Sequence, residues 1–409
     1  MSGMTEFDVA GRKILEGIEP LPTVEVDILE SLGMTLAENV PSPNDIPFAA
    51  NSAMDGFAVI HKDIEDVSED NPVTLKVIDD IKAGDVSSRK VTPGTAIRIM
   101  TGAPLPRGAD TVVMVEKTRS DGDSVIIAAP EDAGQNVRRA SEDVRKGEVI
   151  LEQGEIIEPA GMGMLASIGR SRVRVSRRPR VAILATGNEL IEPDGQIATG
   201  KVRNTNTYSL FGQVLRCGAG PVALGIARDS REDTEKKVKV GLAHDVLLTS
   251  GGVSVGDYDM VRDVLTEMGL KLVFWKVRIK PGMPLLYGRI GNTPVFGLPG
   301  NPVSSMVTFE LFVRPAILKM MGRNKLFRPV VTVTLDEDID LRTGRNHFLR
   351  AVVTRADGGG YTARTTGPQG SGILTSMVLA NALLMVGPDV SRVERGTGLK
   401  AMLTGKESM

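Results

Sequence analysis

LLTSGGVSVGDYDMVRDVL from Leu247, WKVRIKPGMPLLYGR from Trp275 and VFGLPGNPVSSMVTFE from Val295 make up the stretch that decides the fold. Residues 246–249 are a short apolar run, the pattern of a buried parallel strand. Ser250, Gly251 and Gly252 follow it, and the glycines let backbone N–H groups turn to a ligand with no Cβ in the way. A second loop, with Gly297, Pro299, Gly300, Asn301 and Pro302, precedes a helical pattern over residues 303–318. Pro302 suits the first turn of a helix, and a helix N-terminus favours anions. Between these loops Val273, Trp275, Val277 and Ile279 alternate with Phe274, Lys276, Arg278 and Lys280. A period of two predicts one strand, its apolar set facing the core and Lys276, Arg278 and Lys280 sharing the other face at ~7 Å intervals. Such a row of cations is most often a solvated strand face. The Pro281-Gly282 turn and the two flanking loops favour an oxyanion site instead.

The unit extends upstream. Residues 180–185 are apolar and lead into Thr186-Gly187-Asn188-Glu189. Residues 204–217 read as a helix, 222–227 as a strand ending at Arg228-Asp229, and 232–242 as a charged helix. Alternating strand and helix over residues 180–320 predicts a doubly wound, mostly parallel sheet. Ligands of such sheets bind beyond the carboxyl ends of the strands. The loops at Glu189, Asp229, residues 250–259 and residues 297–302 should therefore converge there.

Taken together, TGNEL, SGGVSVGDYD, FWKVRIKPG and GLPGNPVSS resemble the motifs of the MoeA-type molybdopterin molybdenumtransferases, a family that includes the E domain of gephyrin. NSAMDGFAV (residues 51–59) and RIMTGAP (residues 98–104) resemble its N-terminal motifs, and Gln369-Gly370-Ser371 with Arg350 resembles its C-terminal part. The likeness covers nearly the whole chain. Phe57 stands where tyrosine is usual, and residues 33–36 are a loose version of an early family segment; neither touches an expected catalytic group.

The resemblance implies a multidomain α/β and β protein. Residues 1–45 and 147–178 would form one elongated, discontinuous, dimer-forming domain, with 46–146 inserted in it as a β-rich domain. A central MogA-like α/β domain would span 179–326 and a small β-barrel 327–409. From the residues alone, 7–18 and 24–37 read as helical. Short strands are expected at 73–77, 96–100, 111–116 and 124–128, with a hairpin turn at Asp121-Gly122. A helix over 159–168, a basic strand over 172–175 and barrel strands at 331–333, 348–354 and 361–365 complete the reading.

The implied reaction inserts molybdate into adenylylated molybdopterin, releasing AMP and molybdenum cofactor. Glu189 and Asp259 look like the pair that holds Mg²⁺, a hard cation that takes oxygen ligands. Asp229 is a further candidate, while Asp257 reads as a helix cap. Lys276 and Lys280 would hold molybdate or the pyrophosphate-type bridge, with Arg278 assisting or pairing structurally. Backbone groups of Ser250, Gly251, Gly252, Pro299, Gly300, Asn301 and Pro302 would complete the cradle. Asp55, Thr101 and Asp143 resemble family residues needed for activity; in a homodimer they would cover the cleft of the other chain. Arg350 and Ser371 resemble positions near the same cleft. Implied partners are the adenylyltransferase that makes the substrate and the enzymes that receive the cofactor. A molybdopterin adenylyltransferase or a non-catalytic scaffold of the same fold are the alternatives; the full-length likeness disfavours the first, and nothing in the sequence marks a peptide groove for the second.

Composition narrows the field. The 409 residues suit three or four domains. With 51 acidic and 49 basic side chains, no global charge points to nucleic acid or a membrane surface. Aromatics are 4% of residues, too few for base-stacking platforms. Cys217 is the one cysteine, so no intramolecular disulfide forms and a cytoplasmic setting is expected. No apolar run approaches the ~20 residues of a membrane helix, and the N-terminus lacks a signal-peptide pattern. Residues 161–166 match a dinucleotide fingerprint, but no strand precedes them. His61, His244 and His347 lack zinc-like spacing and read as structural or surface groups.

Overall fold

A computed structural model describes residues 3–252 and 260–405. The chain divides into two compact units. One comprises residues 1–37, 154–159 and 172–409, the other residues 38–153 and 160–171.

The second unit is built on a six-stranded sheet. Its order is Thr111–Met114, Gly56–Val59, Thr95–Ile99, Val73–Ile81, Ser124–Ile127 and Thr118–Asp121. The sheet is covered on both faces, so alternate residues of Gly56–Val59 enter different cores: Phe57 and Val59 pack with Val113 and Leu75, whereas Ala58 packs with Ile97 and Val112. Asp121 pairs with Ser124 across the expected hairpin turn, with Gly122 at φ +56°.

The first unit begins with the helix Phe7–Glu16, which buries Ala10 and Ile14 in the main core. The helical pattern read over residues 24–37 is not what forms. Thr23–Asp27 is a strand, antiparallel to Arg172–Ser176, and only Ile28–Glu30 makes a short 3₁₀ turn. Val24 and Val26 are β-branched, and the partner that holds them extended lies far along the chain.

The α/β sheet has the order Gly220–Ala227, Arg180–Thr186, Val246–Ser250, Thr293–Leu298, Pro284–Ile290 and Lys271–Lys276. Its first four strands are parallel, and Pro284–Ile290 runs antiparallel to both its neighbours. Helices cover both faces. Leu210 and Val214 of Asn206–Arg216 pack on Val181 and Ile183, while Val238 and Leu265 pack on Ala182 and Leu184. The helix expected over 303–318 is interrupted: Pro302–Thr308 and Arg314–Met320 are α-helical, and Phe309–Val313 forms a π turn between them. Pro315 has no N–H for the carbonyl of Leu311 and its ring crowds the preceding turn, which the wider π turn relieves.

Five strands close the C-terminal barrel: Asn346–Arg355, Tyr361–Thr365, Val330–Leu335, Gly398–Leu403 and Ala382–Val386, which returns to Asn346–Arg355. Ala351, Ala363, Ala382 and Ala401 keep its narrow interior filled without overpacking. Among the described residues, no helix is long and apolar enough to cross a membrane.

Candidate active site

From Arg180–Thr186 the chain crosses to Gly220–Ala227 on one side, then to Val246–Ser250 on the other. The strand order therefore reverses between Thr186 and Ser250, which is where an open α/β sheet binds ligands. A cavity of about 750 Å³ opens there, lined by both residues together with Glu189, Gly251, Gly252 and the turn from Pro299 to Pro302. Gly251 sits at φ +91°, and a Cβ on it would lie 2.9 Å from the Thr186 carbonyl oxygen. Only glycine lets the two strand ends approach this closely.

Asn206 ties the walls together. Its Nδ2 donates to Ser250 Oγ at 2.7 Å and to the Gly300 carbonyl at 2.8 Å, joining the loops that end two neighbouring strands. Its Oδ1 is buried without a hydrogen-bond partner among the described residues, as is Nδ2 of Asn204. Both asparagines line the cavity, and between them they carry one unused acceptor and one unused donor, both buried. Sequence reading passed over both, because Asn-Thr-Asn before a helix is an ordinary capping pattern.

Glu189 also lines the cavity. Its carboxylate folds against Gly187, at φ +136°, where any Cβ would collide with it. Asp259, its expected metal-holding companion, lies outside the described residues, as does Asp257. Among the described residues no three histidine, cysteine or acidic side chains cluster to chelate a metal. One carboxylate beside hydroxyl and carbonyl oxygens fits Mg²⁺, which keeps several waters. Asp229 lines neither this cavity nor the one described next. It pins a loop: its carboxylate accepts from the Asn188 N–H at 3.1 Å, and its own N–H donates to Asn188 Oδ1 at 3.1 Å.

The row of cations does not form. Lys271–Lys276 belongs to the α/β sheet, and its irregular register turns Phe274 inward and leaves Val273 exposed. At Val277 the chain leaves that sheet, and Ile279–Lys280 joins the barrel alongside Asn346 and His347. The three cations therefore part company. Lys276 Nζ lies 5.2 Å from the Trp275 ring centroid. Arg278 Nε pairs with Glu6 at 3.1 Å. Of the three, Lys280 lines a smaller cavity of about 360 Å³, shared with Pro281, Asp340, Arg342, His347 and Arg350. Burial, then the Arg345 and Arg342 charges, pull the Lys280 pKa below its ordinary value. Neither Lys276 nor Arg278 lines either cavity. Period-two reasoning assumed one strand in one sheet; the chain changes sheets in mid-pattern.

Arg350 is 1% exposed. Burial brings its pKa down to about 10, so it stays charged near neutrality. It donates to the Gly370 carbonyl at 3.1 Å and to Ser376 Oγ at 3.1 Å, while its own N–H is held by Gln369 Oε1 at 2.9 Å. The Ser371 carbonyl accepts from the Val303 N–H at 3.1 Å. Gln369 lines the smaller cavity, and Gly372 and Leu374 line the larger; Pro281 and Pro284 likewise line the smaller and the larger, so two short segments border both.

Family models match along the chain: "MoeA N-terminal region (domain I and II)" over residues 5–169, "Probable molybdopterin binding domain" over 182–319 and "MoeA C-terminal region (domain IV)" over 332–403. A molybdopterin molybdenumtransferase 2 of Mycobacterium tuberculosis is 36% identical over 395 residues, covering 95% of this chain and 97% of that protein. The chain belongs to the MoeA family. A molybdopterin molybdenumtransferase of Staphylococcus aureus is 34% identical over 381 residues, covering 92% of this chain and 90% of its own. The crystal structure of the molybdopterin biosynthesis MoeA protein from Pyrococcus horikoshii superposes with a TM-score of 0.83 at 32% identity, covering 98% of this chain and all of that one.

The MoeA motifs of the second unit are also brought together locally. Asp55 Oδ1 accepts from the Thr101 hydroxyl at 2.6 Å and from the Thr101 N–H at 2.7 Å. These bonds, the hydroxyl first, hold the exposed Asp55 carboxyl below its ordinary pKa. Asp143 sits on another exposed turn, where its N–H donates to the Ile46 carbonyl at 3.0 Å.

Proposed function

We propose that this chain inserts molybdenum into adenylylated molybdopterin, releasing AMP and molybdenum cofactor. The observation that carries the reading is the pairing of a large cavity at the sheet's reversal point with a small cationic cavity, both bordered by the segments 281–284 and 369–374. Family membership supplies the reaction class.

The larger cavity would take the adenylylated pterin. The unused acceptor on Asn206 and donor on Asn204 suit a pterin amide, which offers both complements. Backbone groups of Ser250, Gly251, Gly252 and the 299–302 turn would line the phosphates. Glu189, with Asp259, would hold Mg²⁺, which neutralises phosphate charge when bound. Molybdate would sit by Lys280 and Arg350, with Ser371 on the 369–374 segment. Lys276 and Arg278 are left in supporting roles outside both cavities. Catalysis then rests on positioning and electrostatic stabilisation, with no protein nucleophile. The chain would act as a homodimer, with Asp55, Thr101 and Asp143 of one protomer completing the cleft of its partner. Reconstitution tests the proposal. An apo-molybdoenzyme given adenylylated molybdopterin, Mg²⁺ and micromolar molybdate should gain activity only with this protein present; activation at the same rate without it would refute the reading.

A further inference from the structure

His347 lines the smaller cavity and is 1% exposed. Its Nε2 lies 2.7 Å from the Arg342 carbonyl oxygen. A carbonyl can only accept, so Nε2 carries the proton. In the neutral ring Nδ1 is then an acceptor. Nδ1 is buried with no partner among the described residues. The ring thus carries an unused lone pair, and His347 borders a cavity whose other groups include Lys280, Arg342 and Arg350.

This arrangement suits an empty cavity and not a full one. With cations in the majority around it, the ring's pKa is lowered: burial first, then the Lys280 and Arg345 charges, act against the opposing bond to Arg342. A tetrahedral dianion reverses the balance. Its oxygens carry lone pairs of their own, which repel the Nδ1 lone pair and attract an N–H. The charged groups around the cavity are Lys280 on the parallel neighbouring strand, Arg342 and Asp340 on the overlying segment, and Arg345 and Arg350 beside or on the ring's own strand. The ring's other strand neighbour, Val386, is uncharged. Asp340 is paired with Arg392 at 3.2 Å, which tempers its effect on the ring.

We propose that His347 takes up one proton from solvent when a dianionic oxyanion enters this cavity, so that Nδ1–H becomes a donor to the bound anion. The proposal rests on the reading of this cavity as the oxyanion site. One proton moves from water to Nδ1, and no other bond is made or broken. Affinity should be highest at low pH and should fall as pH rises from the pKa of the empty site towards that of the filled site, by up to about tenfold per pH unit. Proton uptake by Lys280 would persist when His347 is replaced, which separates the two groups.

Calorimetric titration of the full-length protein with molybdate between pH 6.5 and 8.5, in buffers of different ionisation enthalpy, tests the proposal. The expected result is uptake of a fraction of a proton that approaches ~1 inside the window. His347→Gln keeps a donor for the Arg342 carbonyl but cannot titrate, so it should bind molybdate with no proton uptake and no pH dependence. Binding without uptake in the wild type, or equal uptake in the variant, overturns the proposal and leaves the anion site standing. No molybdate binding at any pH overturns both. If the variant does not fold, imidazole NMR of the wild type decides, since there are only three histidines to resolve. One ring should pass from the Nε2–H tautomer to imidazolium on adding molybdate; three unchanged rings would sink the idea.

Discussion

The Asn206 amide nitrogen lies 2.7 Å from Ser250 Oγ, at the point where the order of the parallel strands reverses. The same nitrogen reaches the Gly300 carbonyl, so one side chain sets the spacing of two ligand-facing loops. Asn206→Ala removes both bonds and leaves the Gly300 carbonyl to find another donor. Lost buried hydrogen bonds cost roughly 1–3 kcal/mol, so kcat/KM for the adenylylated pterin should fall about 10- to 100-fold. Asn206→Asp, which keeps the shape and loses the donor, should be no better. Activity within twofold of wild type in both variants would show that the loops hold their spacing unaided.

Gly251 offers a sharper test of loop geometry. At φ +91° with the Thr186 carbonyl so close, an added Cβ must push the two strand ends apart. Gly251→Ala should cost about 1–3 kcal/mol of stability and more than tenfold in kcat/KM. Thermal melting and steady-state kinetics read the two effects separately. A fully active, equally stable variant would mean that the strand ends need not approach.

These two positions differ in how well the sequence announced them. Gly251 stood out because its glycine pair follows a buried run in company with further Gly/Pro-rich loops; alone it would have meant only a turn. Asn206 did not, because its role depends on Ser250 and Gly300, which are distant in sequence. The cavity at the strand ends was legible from the alternation of strand and helix with Gly/Pro-rich loops, since those signals are local. Lys276, Arg278 and Lys280 were misplaced for the opposite reason: Ile279–Lys280 extends the barrel, and its pairing with Asn346 and His347 is a long-range contact that no periodicity encodes. Thr23–Asp27 repeats the lesson, being a strand only because Arg172–Ser176 lies beside it.

Entry into the α/β domain is pinned by an ion pair. Arg177 donates to both oxygens of Asp245, at 2.7 and 2.9 Å, and the Arg180 N–H donates at 2.7 Å. Burial alone would raise the Asp245 pKa, but the bonds from Arg177 and Arg180 outweigh it and the net shift is downward. A depressed carboxylate stabilises the fold above its unfolded pKa of about 3.9 and loses that contribution as pH falls through the lower folded value. Asp245→Asn should therefore lower stability at pH 7 by about 1–3 kcal/mol. The gap to wild type should close only below about pH 4. Denaturant melts from pH 3 to 7 check this; a gap that closes near pH 6 would implicate another group.

The proposed homodimer makes a prediction about mixed subunits. If Asp55 of one protomer serves the cleft holding Glu189 of its partner, Asp55→Ala and Glu189→Gln chains are each inactive alone. Refolded together at equal amounts, half the dimers are hybrids with one intact cleft, so about a quarter of wild-type activity should return. No recovery, with hybrid dimers verified by differential tagging, would place both residues in clefts of a single chain.

The central claim is best tested by AMP release from adenylylated molybdopterin with Mg²⁺, measured with and without molybdate. The account predicts release that requires molybdate and is lost in Lys280→Ala, the cation of its segment that lines the smaller cavity. Release that proceeds equally without molybdate, or that survives in Lys280→Ala at limiting molybdate, would contradict it.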